Sequence, residues 1–236
     1  MILKLACILS FNVLLLNAVL AQTQPVRNIA RFDSQLTLTD FNGQPINRNY
    51  NGLEGNPFAI DQYHFGEIEL KNGRKFNTVK FKIDIVAQEI VFLSPTNEAG
   101  GIASDFVKSV SYYDTTDLGI KQYLFKTGLP PIDNYKSNMF CLVLVDGKIS
   151  LLKSMFKSID TRKNYFTGEI VKEFRLYEDF YTFQNGTMTR FKRDKDNILS
   201  VTSEKRALME KYLKENKGNF KNEDYLAKIF TYYNNN

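Results

Sequence analysis

Met139–Val145 reads MFCLVLV, seven consecutive positions without a polar side chain. A strand of that composition has no solvent face, so both of its surfaces must be covered and it must lie inside a sheet. Burying seven such side chains is worth on the order of 10–20 kcal/mol gross, an upper bound before ordering entropy. Asp146-Gly147 follows, and then a second run, Ile149–Lys153. Strand, Asp-Gly and strand together predict a hairpin with a primed two-residue turn, where Gly takes positive φ freely and Asp tolerates it. The rest of the chain is expected to pack around this hairpin.

Upstream, the pattern is that of antiparallel strands. Leu36–Phe41 alternates and runs into Asn42-Gly43, a hairpin signal. Gln44–Asp61 is rich in Asn, Gly and Pro and reads as a long crossing segment or a site. A meander follows. Phe65–Lys71 leads through Asn72-Gly73 to Lys75–Val86, with Phe76, Thr78 and Lys80 on one face and Val79, Phe81, Ile83 and Ile85 on the other. Ala87-Gln88 breaks that strand before Glu89–Leu93. Ser94–Ser104 reads as a loop, Phe106–Tyr113 and Gln122–Lys126 as strands, and Thr127–Asn138 as an extended crossing.

Downstream of Lys153 the sequence is basic and weakly patterned as far as Gly168. Glu169–Tyr177 and Asp179–Gln184 read as strands, and Asn185-Gly186 turns the chain into Thr187–Lys192. Asn185-Gly186-Thr187 also fits a glycosylation acceptor, but the turn is the preferred reading.

The period then changes. Thr202 or Ser203 is expected to cap a helix ending near Asn216, and Asn222 to cap a second. In the second helix Tyr225, Leu226, Ile229, Phe230 and Tyr233 share one face. The class predicted is α+β: an antiparallel, meander-rich sheet or half-barrel closed by a C-terminal helical pair. The expected division is 1–21 as a signal peptide, 22–201 as a β-rich domain and 202–236 as the helical pair on the sheet.

That first segment, MILKLACILSFNVLLLNAVLA, has Lys4, an apolar run from about Leu5 to Leu16, and small or compact residues before Ala21. It reads as a leader cleaved after Ala21, with export to the periplasm or beyond. The run is shorter than the roughly 18–20 residues a membrane span needs, so a transmembrane protein is not expected. After cleavage Cys141 is the one cysteine left, which rules out an internal disulfide in the mature chain. In its apolar strand it reads as a small buried hydrophobe.

Four stretches resemble a known family when taken in order. They are GNPFAIDQYHFGEIELKNGRKF, LVDGKISLLK, YTFQNGTMTRFKRDKDNIL and EKYLKENKGNFKNEDYLAKIFTYYNN. The combination is similar to a large uncharacterised family of exported β-rich proteins of Gram-negative bacteria. The resemblance implies export and a single β-rich domain. It implies no chemistry, because that family has no assigned activity; Ile102–Asp117 and Lys157–Gly168 match no pattern of it.

Most recognisable chemistries are missing. His64 is the only histidine, which rules out HExxH and every zinc site with two imidazoles. It reads as a surface or packing residue. No Gly-x-Ser-x-Gly elbow or phosphate loop occurs. Asp194-Lys195-Asp196 begins like a calcium loop, but Leu199 stands where its glycine belongs and Lys205 where its glutamate belongs. It reads as a solvated turn. Glu178-Asp179 is an example of carboxylates that could serve glycoside hydrolysis if folding paired them. No catalytic, metal or cofactor residue is therefore assigned.

Charge is uneven: Gln22–Asn185 has 19 basic and 19 acidic residues, whereas Gly186–Asn236 has 11 and 7. A basic end can meet an anionic surface, but the excess is small and no nucleic-acid motif appears, so no nucleic-acid partner is expected. The sequence thus points to an exported, non-catalytic domain that binds a protein or small ligand at the envelope. A carboxylate-dependent hydrolase and a carrier of a small apolar ligand are the alternatives.

Overall fold

The computed structural model describes residues 38–39, 45–46, 50–94, 99–116 and 119–236. The leader expected at Met1–Ala21, the residues to Arg31 and the turn at Asn42-Gly43 lie outside them. In chain order the strands are β1 (Leu38–Thr39), β2 (Pro45–Ile46), β3 (Leu53–Glu54), β4 (His64–Leu70), β5 (Lys75–Asp84), β6 (Glu89–Leu93) and β7 (Ala99–Ala103). Then come β8 (Val107–Thr116), β9 (Gly119–Lys126), β10 (Cys141–Val145), β11 (Ser150–Lys163), β12 (Ile170–Gln184) and β13 (Thr187–Arg190). Helices α1 (Lys195–Val201), α2 (Arg206–Glu215) and α3 (Glu223–Asn235) follow.

The class is α+β, built on one large open sheet. Its order is β13-β12-β11-β10-β9-β8-β4-β5-β6-β7-β1-β2, with β3 beside β12 off this path. The expected antiparallel meander needs correction. The sheet is mixed, because β1 runs parallel to β7 and β3 parallel to β12. Both parallel pairs involve two-residue strands that precede His64, β1 in the alternating Leu36–Phe41 run and β3 in the Gln44–Asp61 crossing, and a pattern within one strand does not say which distant strand it joins or in which direction.

Strand β5 does not run straight. Ser104 N–H donates to Gln88 O and Lys71 N–H donates to Phe106 O, at 3.0 and 2.9 Å. Three residues and two hydrogen bonds, roughly 15 Å in all, therefore join the turns at opposite ends of a ten-residue strand. Extended, that strand would measure about 33 Å, so it must bend. Thr78, at φ 58°, sits where the β4–β5 register shifts between Gly66 and Ile68. The bulge also changes the face of Phe76. Phe76 packs into the same core as Val79 and Phe81, not on the opposite side with Lys80 as strict alternation implies.

Strand β10 is covered on both faces, as its composition requires. On one face Leu142 joins the core of β4, β5, β8 and β9, while Val145 meets the helices. On the other, Cys141 packs with Leu129, Tyr135 and Met139 of the crossing segment and with Leu152 and Tyr181. Its connection to β11 is not a primed two-residue turn. The strands separate over Asp146–Ile149, the register shifts between Val143 and Val145, and Gly147 has φ 158°. Glycine stands there because Asn234 of α3 lies against it: a Cβ would sit 2.4 Å from Asn234 Nδ2. The primed geometry occurs instead at Asn185-Gly186, with φ 50° and 78°, between β12 and β13.

Three helices stand where a pair was expected. Asp194 is not a solvated turn residue: its carboxylate caps α1 by accepting from Asn197 N–H at 2.8 Å. Thr202 caps nothing and donates its hydroxyl to Ile198 O. A short 3-10 turn, Ser203–Lys205, leads into α2. Asn222 does cap α3, and Leu226, Ile229, Phe230 and Tyr233 are fully buried against Val145, Ile149 and Leu151.

The largest revision concerns Ser154–Lys163. This weakly patterned stretch continues β11 and pairs residue by residue with β12, from Ser150↔Phe183 to Lys163↔Ile170. Its pattern is weak because pairing with β10 ends at Ser154 and, after Met155 and Phe156, no core lies alongside for side chains to alternate against.

Candidate interaction surface

The β11–β12 hairpin leaves the body of the protein as a two-stranded ribbon. Lys157 anchors its base. Its ammonium donates to Asn56 O, Asn56 Oδ1 and Phe58 O at 2.9, 3.2 and 2.7 Å. Burial pushes the pKa of this lysine down, against the nearby Asp61 and Asp84 carboxylates. Neutral oxygens in place of a carboxylate partner are what allow burial to win. Beside Lys157, Phe156 stacks on Tyr177 at 5.0 Å; farther out, Arg162 bridges Glu173 and Glu54 at 3.1 and 3.3 Å. Strand β3 accompanies β12 as far as Lys172. Past that residue neither β3 nor β10 pairs with the ribbon.

Its tip is held by Asn164. The side-chain oxygen accepts from Phe166 N–H and Thr167 N–H at 2.9 and 3.4 Å. Its main chain closes the loop through Gly168 N–H to Asn164 O and Asn164 N–H to Glu169 O, both 2.8 Å. This self-contained turn presents Tyr165 and Phe166 at 97% and 101% relative exposure, with Ile170 at 72%. Single exposed apolar residues are ordinary; adjacent aromatics exposed to that degree at a projecting tip are not. Tyr165-Phe166 inside a polar Asn-Thr-Gly turn was the signal available in the sequence.

The residues considered for chemistry do not converge. His64 stacks on Tyr112 at 4.2 Å, and among the described residues its buried Nε2 has no hydrogen-bond partner. Burial lowers its pKa, opposed by Asp114. The hollow beside it measures about 10 Å³, room for about one water. Cys141 is buried, and burial pushes its thiol up to about 12, so the thiolate needed for reactivity is not formed at neutral pH. Glu178 and Asp179 point to opposite faces of β12, Glu178 toward Lys153 at 2.6 Å and Asp179 toward Arg190. Among the described residues no group of three or more His, Cys, Asp or Glu side chains could hold a metal ion.

Two larger hollows are surface features. One of about 170 Å³ beside the β10–β11 connection has Asp146 as its one acidic residue, tied to Lys126 at 2.7 Å. The other, about 480 Å³, lies open on the helices beside the stacked Tyr212 and Tyr232. Among the described residues no helix is long and apolar enough to cross a membrane.

Comparison with family models, with curated proteins and with solved structures finds no match, so no family assignment follows.

Proposed function

We propose that this chain is an exported, non-catalytic domain that binds a partner at the cell envelope through the free end of its β11–β12 ribbon. The observation that carries the reading is the uncovered Tyr165-Phe166 pair on a self-supporting tip. Ordering two aromatic rings in water gains nothing for the fold, so their benefit lies in what they meet. The leader-like Met1–Ala21 supports export, to the periplasm or beyond. The two alternatives have less support. A hydrolase using paired carboxylates needs two of them at one cleft, and each of the three hollows has at most one acidic residue in its lining. A carrier needs an enclosed apolar cavity of about 300 Å³ or more, and the 480 Å³ hollow is an open one.

The test is photo-crosslinking in cells, with the reactive side chain at position 166 and a control at the exposed Lys217. Adducts at 166 that are missing at 217 are expected. Equal labelling at both sites would refute a binding role for the ribbon.

A further inference from the structure

We infer that the partner of the ribbon tip is the surface of an anionic lipid bilayer, into whose interfacial layer Tyr165 and Phe166 insert. The inference rests on the binding reading above and adds the chemistry of what is bound.

Three observations converge on it. The first is the backbone. An apolar medium penalises every unpaired N–H and C=O. At this tip Phe166 N–H, Thr167 N–H and Gly168 N–H are all bonded to Asn164, and Asn164 N–H to Glu169 O. Four of the tip's main-chain N–H groups can therefore leave water already paired, which lowers the cost of inserting the rings.

The second is charge. Lys163 lies opposite Ile170 and Lys172 opposite Thr161, so both lysines share one face of the ribbon just behind the aromatics. Arg162 is occupied by Glu54 and Glu173, which leaves the two lysines to face an anionic surface. Glu169 is the one acidic residue between Lys163 and Lys172. Aromatic rings flanked by lysine are the combination that favours the headgroup region of a membrane, with each lysine adding attraction to anionic lipid.

The third is reach. Beyond the pairing of Lys172 with Leu53, two further residue pairs, Arg162 with Val171 and Lys163 with Ile170, carry the ribbon to its tip loop, about 7 Å before the loop itself is counted. Interfacial segments bury their apolar side to about 5–10 Å, so the tip can enter while the body stays in water. A convex tip of this kind needs no complementary groove, which a protein partner would have to supply.

The experiment uses the chain purified as it accumulates in its own cells, with vesicles of phosphatidylcholine alone or with about 30% phosphatidylglycerol at about 0.1 M salt. The sequence has no tryptophan, so Phe166→Trp places a single reporter at the tip. With anionic vesicles its emission should shift to the blue and become protected from aqueous quenchers. Changing Tyr165 and Phe166 to Ser should weaken co-flotation about 10–100-fold. Changing Lys163 and Lys172 to Gln should weaken it several-fold on anionic vesicles alone. Unchanged thermal melting of these variants would show that the fold is intact. Absence of wild-type flotation with anionic vesicles, or flotation indifferent to the tip substitutions, would overturn the inference. If flotation is absent while position 166 crosslinks to a protein in cells, the lipid is wrong and the binding role stands. If both are absent, both fall.

Discussion

Asn234 at the end of α3 performs the work of a short piece of strand. Its Oδ1 accepts from Ile149 N–H and its Nδ2 donates to Ile149 O, both at 3.0 Å. Ile149 is fully buried, so removing the amide leaves a main-chain donor and acceptor with little water to replace it. Each orphaned group costs about 1–3 kcal/mol when buried. Because the amide lies near the end of its helix, where solvent partly compensates, Asn234→Ala should cost about 2–3 kcal/mol in total. That corresponds to a midpoint shift of about 1 M in urea unfolding followed by far-ultraviolet circular dichroism. Gly147→Ala should cost a similar amount, because its Cβ would collide with Asn234 Nδ2 and Cγ at 2.4 and 2.6 Å. In the Asn234→Ala background the collision is gone, so Gly147→Ala should then cost at least 1 kcal/mol less, a coupling well above the roughly 0.3–0.5 kcal/mol scatter of independent sites. Additive costs would refute the reasoning and return the requirement for glycine to the turn backbone alone.

Three further outcomes are expected. The Lys153 ammonium, at 10% side-chain exposure, holds Glu178 and Glu223 at 2.6 and 2.7 Å. Burial alone would lower its pKa, but the hydrogen bonds it donates to the two carboxylates outweigh it and the net shift is upward from 10.5. A raised folded-state pKa stabilises below the unfolded value and is lost as pH rises through the folded one. Wild-type stability should therefore fall more steeply above about pH 10.5 than that of Lys153→Met, as urea midpoints across that range would show; parallel curves would contradict this. Lys157→Met should cost about 1–3 kcal/mol and free the segment around Asn56–Phe58, seen as faster proteolysis there at unchanged cleavage elsewhere. Deleting Asn222–Asn236 removes four fully buried side chains, Leu226, Ile229, Phe230 and Tyr233. At about 1.5–3 kcal/mol each the loss rivals the whole stability of a typical domain. The truncated chain should lack a cooperative thermal transition, and a normal melt would show that α3 is dispensable.

The legible parts of the molecule are those in which one short segment carries its own constraint. MFCLVLV has no polar face, and β10 is buried on both sides. Asn185-Gly186 supplies two residues that tolerate positive φ, and both adopt it. Asn222 starts α3, whose buried residues at 226, 229, 230 and 233 follow helical spacing. The candidate surface was harder to read. A free ribbon has no core to impose alternation, so Lys157–Lys163 lacks the pattern by which strands are recognised.

The amino-acid sequence by itself therefore determined the α+β class, the interior strand and the apolar face of the last helix, because hydrophobic periodicity and capping act within a few residues. Only tertiary structure decided the rest. The bend at Thr78 is imposed by the contacts Ser104–Gln88 and Phe106–Lys71. The glycine at 147 answers to Asn234, far along the chain. The exposure of Tyr165 and Phe166 exists because neither β10 nor β3 extends far enough to cover them. Each is a meeting of distant segments, and no local pattern encodes which distant residue will arrive.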